Sequence, residues 1–305
     1  MNAAAAVALR PRVVLPAATA GVGRAAVVAL YDELALAPKP GLVSFADSGS
    51  HRDMDARTFM RSLFALRRAF PGFAVLGAQD MPFEWLEHEG ILAEARMLQA
   101  TGGINTHRGA IFTLGLLCAC AGRLLAEGRT LDATSIRRTL LVTWGEALAQ
   151  RAHRPRPSNG ACAARRHGLR SAGVEAALGF PALFETAWPT LRDALARGMP
   201  EPAARLDTLF ATMAVLDDTN LVHRGGIEAL HDVQRAAAAY LAAGGSARPD
   251  ALAHARSLHR AFVRRRLSPG GSADVLAAAC WLQRVCAATS AGAWAGPRLA
   301  PAEPR

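Results

Sequence analysis

Apolar residues recur along this chain every three or four positions, the spacing of helices that bury one face. The alternation expected of a half-buried strand is short wherever it occurs. The spacing predicts helices over 21–36, 55–69, 83–100, 107–126, 133–152, 181–197, 203–216, 226–243, 249–265 and 272–288. In the third of these, Leu86, Ile91, Leu92, Ala95 and Leu98 fall close to one stripe. Punctuation residues set the ends. Pro38 and Pro40 end the first helix, Asp55 caps the second and Pro71 stops it, and Gly102-Gly103 breaks the third. Pro155, Pro157, Ser158, Asn159 and Gly160 form the clearest internal loop, yet neither side of it reads as a separate fold. The expected class is therefore all-α: one helical domain over 21–290 with its site on inter-helix loops, an N-terminal extension over 1–20 and a tail over 291–305, both poorly ordered.

Composition sharpens this picture. With 305 residues and 51% hydrophobic content the chain is long enough for a large core. No apolar run reaches the ~18–20 residues of a membrane span, and Ala110 to Ala121 reads as a buried helix. The first cations, Arg10 and Arg12, follow the N-terminal Ala/Val stretch instead of preceding it, the wrong order for a secretory signal. A cytoplasmic protein is expected. Five cysteines, Cys118, Cys120, Cys162, Cys280 and Cys286, lack C-x-x-C spacing and read as small buried hydrophobes. The net charge is +10, nearly all from arginine, with Lys39 the only lysine. A basic balance raises nucleic-acid binding first, but the arginines are scattered and aromatics make up only 6%. Small polyanions explain the charge at least as well.

Polar residues gather at the helix junctions. Pro38-Lys39-Pro40-Gly41-Leu42-Val43 leads to Asp47, Gly49-Ser50-His51 and Asp53-Met54-Asp55. Thr101-Gly102-Gly103-Ile104-Asn105-Thr106-His107-Arg108-Gly109 precedes the most apolar helix, and Ser158-Asn159-Gly160 sits in the internal loop. Asp217-Asp218-Thr219-Asn220-Leu221-Val222-His223-Arg224-Gly225-Gly226 and Leu267-Ser268-Pro269-Gly270-Gly271-Ser272-Ala273-Asp274 complete the set. Such loops suit phosphates: glycine lets backbone N–H groups approach an anion, and a helix start adds unpaired donors. Arg108 and Arg224 can clamp oxygens bidentately, Lys39 offers a point charge, and the pairs Asp53/Asp55 and Asp217/Asp218 suit Mg²⁺. The same residues also serve as ordinary caps, so any single loop is explained as well by structure. Neither a Walker A loop nor a strand-borne G-x-G-x-x-G is present.

As a set these stretches resemble the triphosphoribosyl-dephospho-CoA synthases, which help make the prosthetic group of the acyl-carrier subunits of citrate lyase and malonate decarboxylase. The likeness rests on Pro38 to Val43, Gly49-Ser50-His51-x-Asp53-Met54, Ala93-Glu94 through Gly109, Asp218 through Gly226 and Leu267 through Asp274, in family order over residues 35–285. Arg108 stands where many members are expected to have lysine, and Gly173 where an arginine is expected.

The resemblance implies that ATP gives its triphosphoribosyl group to 3′-dephospho-CoA and releases adenine, with Mg²⁺ in attendance. It implies a nucleotide site built from Lys39, Gly41, Ser50, His51, Gly102, Gly103, Asn105, Thr106, Arg108, Asn220, Arg224, Gly225, Gly226, Ser268, Gly270 and Gly271. Metal would fall to Asp53, Asp217 or Asp218, and chemistry at C1′ to Glu94, His107 and Asp218. A holo-acyl-carrier-protein synthase would use the product. The 217–226 stretch looks closest to the malonate decarboxylase branch, and Ala-rich helices could form a homodimer face. Two other readings stay open: an ADP-ribose-type glycohydrolase, attacking with water, and a basic helical protein binding nucleic acid.

Overall fold

A computed structural model describes residues 16–154 and 159–290, and every regular element in it is helical. The chain runs α1 (Pro16–Ala35), α2 (Ala56–Leu66), α3 (Ala69–Ala78), α4 (Phe83–Thr101), α5 (Arg108–Ala126), α6 (Ala133–His153), α7 (Asn159–His167) and α8 (Ala172–Ala177). A π-helical turn (Ala182–Ala187) then leads into α9 (Trp188–Ala196), followed by α10 (Glu201–Val215), α11 (Thr219–Ala242), α12 (Ala251–Arg264) and α13 (Gly270–Ser290). The all-α class expected from the spacing holds. The expected tail over 291–305, the first fifteen residues and Ser158 lie outside the described residues.

Local chemistry explains the boundaries. Asp55 caps α2, its carboxylate accepting the Thr58 N–H at 2.8 Å. Gly102, left-handed at φ 69°, closes α4, and the Gly103 N–H reaches back to the Leu98 carbonyl at 2.7 Å. Pro71 does not stop a helix as its position in the sequence predicts. It falls in the first turn of α3, where the missing N–H has no partner to lose. Helices α7 and α8 also arise where the spacing predicts none.

Helix α5 is the centre of the molecule. Residues such as Leu114, Leu117 and Leu124 are fully buried, each adding about 1.5–3 kcal/mol of burial free energy. Its length and apolar composition would suit a membrane span, but 78% of that window is buried inside the fold. Helix α3 packs along it through Ala74, Gly77, Ala119 and Gly122, where backbones touch, and α1, α4, α6 and α13 complete the surround. Trp281 of α13 is fully buried and donates its indole N–H to the Val22 carbonyl at 3.1 Å. Cys118, Cys120 and Cys280 are buried as expected, Cys286 is half-buried, and Cys162 departs by being exposed. The start of α5 and the start of α13 meet in the core, which sets the position of the site.

Candidate active site

The 38–53 loop meets the end of α12 and the first turns of α11 at a surface pocket of about 330 Å³. Ser50, His51, Asp53, Arg224 and Arg266 are among its walls. Ser50 donates its hydroxyl to the Leu267 carbonyl at 2.5 Å, tying the loop to the chain beyond α12. Arg224 lies 3.1 Å from His51 Nδ1 and 3.4 Å from the Ser50 and Arg266 carbonyls. A guanidinium cannot accept, so Nδ1 must, and the ring proton sits on Nε2, 2.9 Å from Ser268 Oγ. Burial, and then the Arg224 charge, hold His51 below the usual imidazole range. The ring is a neutral spacer that fixes Arg224 at the pocket. Gly226, at φ 76° and ψ −179°, interrupts α11 two residues beyond Arg224, a conformation that side chains disfavour.

Beneath this pocket lies a layer of buried ionisable groups. Lys39 is 1% exposed; its ammonium donates to the Glu33 carbonyl at 2.7 Å and forms a close ion pair with the Glu33 carboxylate. Burial pushes Glu33 up and Lys39 down, each opposed by its partner's charge. Asp218 is 2% exposed and joins two helix starts. It accepts from the Asn220 N–H of α11 at 3.1 Å and from the Ser272 N–H of α13 at 3.0 Å. Its carboxyl is raised by burial. Asp274, at the start of the second turn of α13, accepts the Ala110 N–H of α5 and is raised well above the usual range by burial, with Glu33 and Asp218 adding to the rise. A side chain at Gly109 would overlap the Asp274 carboxylate, so glycine there permits the close approach. His107 is 3% exposed, with Nδ1 at 2.6 Å from Ser62 Oγ and its ring edge-on to Phe59. Burial, and then the Lys39 charge, lower its pKa to about 3, so it is neutral near pH 7.

Other predicted residues stand apart from one another. Glu94, about two turns before the end of α4, and Arg108, the first residue of α5, form a partly exposed ion pair with each other, so the two charges neutralise locally. The Asn105 side chain accepts the Arg108 N–H at 3.1 Å just ahead of α5, Gly102 and Gly103 face open space, and the Thr106 hydroxyl is buried without a partner among the described residues. Asp217 turns away from Asp218: it accepts the Arg170 N–H at 2.9 Å, and the Arg170 guanidinium lies 3.1 Å from Glu175. The cation beside Gly173, where the sequence lacks the expected arginine, is Arg151, whose guanidinium lies 3.7 Å from where a side chain at Gly173 would begin. Asp53 is exposed, 3.6 Å from His51. Among the described residues no three His, Cys, Asp or Glu gather to hold a metal ion. Asp53, Asp217 and Asp218, the expected metal ligands, are thus not gathered into one cluster of three. Asn220, Gly225, Gly270 and Gly271 are packing residues where the 217–226 and 267–274 loops cross. Gly41 packs on the Leu267 carbonyl.

Glu33, Ser62, Arg170, Asp274 and Arg266 were not singled out as site residues by the sequence. Asp274 closes a motif that had been quoted, but Glu33 and Ser62 lie inside helical runs that no spacing rule marks. A larger cleft, about 660 Å³, lies between α6 and α9 near Arg137, Arg138, Trp188 and Arg192 and holds none of the predicted residues.

A basic loop pocket over buried carboxylates, on an all-α frame, is the arrangement these residues build. The family model described as CitG, ATP:dephospho-CoA triphosphoribosyl transferase, matches residues 19–292, and the chain belongs to that family. It is 39% identical to a protein of Acinetobacter calcoaceticus over 84% of this chain and 88% of the relative. It is 42% identical to one of Azotobacter vinelandii over 85% and 89%. Both relatives bear the name "probable 2-(5''-triphosphoribosyl)-3'-dephosphocoenzyme-A synthase". No solved structure matches the chain significantly.

Proposed function

We propose that this chain transfers the 5-triphosphoribosyl group of ATP to the 2′-hydroxyl of 3′-dephospho-CoA, for the prosthetic group of a malonate decarboxylase acyl-carrier protein in preference to citrate lyase. The bond from C1′ to adenine breaks, the bond from C1′ to the acceptor oxygen forms, and the proton of the acceptor hydroxyl leaves with adenine. The pocket in which Arg224, held by His51, faces Arg266 carries the reading, because a triphosphate that is kept intact needs cations that hold it still. Mg²⁺ enters as part of MgATP, held mainly by phosphate oxygens. Asp218, a carboxylate held by two backbone N–H donors, puts negative charge under the site, where positive charge grows on the ribose as the base leaves, while Asp274 beside it is pushed toward its neutral form. The malonate branch rests on the likeness of residues 217–226, and a holo-acyl-carrier-protein synthase takes the product.

Acceptor dependence separates this from water attack. With ATP alone adenine release is expected at background, rising on addition of 3′-dephospho-CoA. Equal release without the acceptor would point to the glycohydrolase reading.

A further inference from the structure

His107 ties the start of α5 to the middle of α2. Its Nε2 is buried and has no hydrogen-bond partner among the described residues, although the residue is only 3% exposed. Its Nδ1 lies 2.6 Å from the hydroxyl of Ser62, which is fully buried in the middle of α2. That contact is the only hydrogen bond of the Ser62 hydroxyl among the described residues.

The direction of this bond can be worked out. If Nδ1–H donated to Ser62, the serine proton would need a second acceptor, and a buried hydroxyl proton without one costs about 1–3 kcal/mol. If Ser62 donates, its proton is satisfied and Nδ1 is the acceptor. The ring proton of neutral His107 then sits on Nε2. Burial and the nearby Lys39 ammonium both disfavour the doubly protonated ring, so Nδ1 stays free to accept. Phe59, edge-on at 4.8 Å, keeps the ring from turning over. His107 sits as the N-cap residue of α5, beside the Asp274 carboxyl held at Ala110.

We infer that Ser62 is a positioning residue that fixes His107 as a neutral Nε2–H donor, and that this N–H binds an oxygen or ring nitrogen of the nucleotide without giving up its proton. This rests on the nucleotide reading proposed above. It differs from a general-acid role, in which the ring would carry and transfer a proton. The acceptor class is a neutral or anionic lone pair, such as a ribose hydroxyl oxygen or a purine ring nitrogen.

Two arms test it on the full-length protein. The first is side-chain ¹⁵N NMR of labelled wild type near pH 7. His107 is expected to show a pyridine-type Nδ1 and a pyrrole-type Nε2, and Ser62→Ala is expected to mix in the other tautomer. A doubly protonated ring, a wild-type Nδ1–H tautomer, or an unchanged spectrum in Ser62→Ala would overturn the assignment. This arm needs no turnover, so it stands even if the wild type releases no adenine, an outcome that would sink the proposed function instead.

The second arm is acceptor-dependent adenine release. His107→Ala is expected to lose about 10²-fold, as removal of one positioned donor does. His107→Gln, which keeps an N–H near Nε2 but has no ionisable group, is expected to recover about tenfold of that loss. Gln as inactive as Ala would overturn the donor role.

Discussion

Asp218→Ala is expected to lose about 2–4 kcal/mol of stability and to fall to background adenine release. The reason is that one carboxylate satisfies two helix starts. Its first oxygen takes the Asn220 N–H of α11, a capping bond of about 1 kcal/mol. Its second takes the Ser272 N–H and hydroxyl of α13, and Ser272 is fully buried. With alanine that N–H is left without an acceptor, at about 1–3 kcal/mol. Asp218→Asn keeps one carbonyl but turns an amide toward the other donors, so its loss is expected to fall between alanine and wild type. Urea unfolding of the three proteins measures this order. A loss below about 1 kcal/mol for alanine would show that the two helix starts do not depend on this residue.

Lys39→Met is expected to be the most destabilising single change in the site, at about 3–5 kcal/mol, because it strands a buried carboxylate. Glu33 is 4% exposed and has the ammonium as its partner, with Asp218 and Asp274 acting on the same buried layer. Without Lys39, Glu33 would take up a proton, in the direction that burial already pushes it. The double variant Glu33→Gln/Lys39→Met removes both charges and is expected to regain most of the loss. Thermal unfolding of the single and double variants decides this. A double variant as unstable as the single would mean that Lys39 acts through something other than Glu33. The sequence offers Lys39 as a phosphate ligand; in the structure its ammonium is held inward by Glu33.

Residues that act within one turn of their own helix were legible. Asp55 as a cap and Gly102 as a terminator need only local rules, and both appear as expected. Pro71 was misread because a proline looks the same at the end of one helix and in the first turn of the next. Asp217 and Asp218 show a deeper limit. Adjacent carboxylates read as a metal pair, but at a helix cap they point to different partners, Arg170 on one side and Ser272 on the other. Glu94 and Arg108 are fourteen positions apart, and only the packing of α4 on α5 makes them partners. Ser62 carries no signal at all. A serine in a helix gains meaning only when His107 arrives from another loop.

The chain handles ATP as a ribosyl donor, and the fate of its phosphates tests that claim most directly. With γ-³²P-labelled ATP and 3′-dephospho-CoA, the label should appear in the CoA product in equal amount to the free adenine, with no ADP or inorganic phosphate formed. Label released as phosphate, or adenine formed without labelled CoA product, would contradict the account.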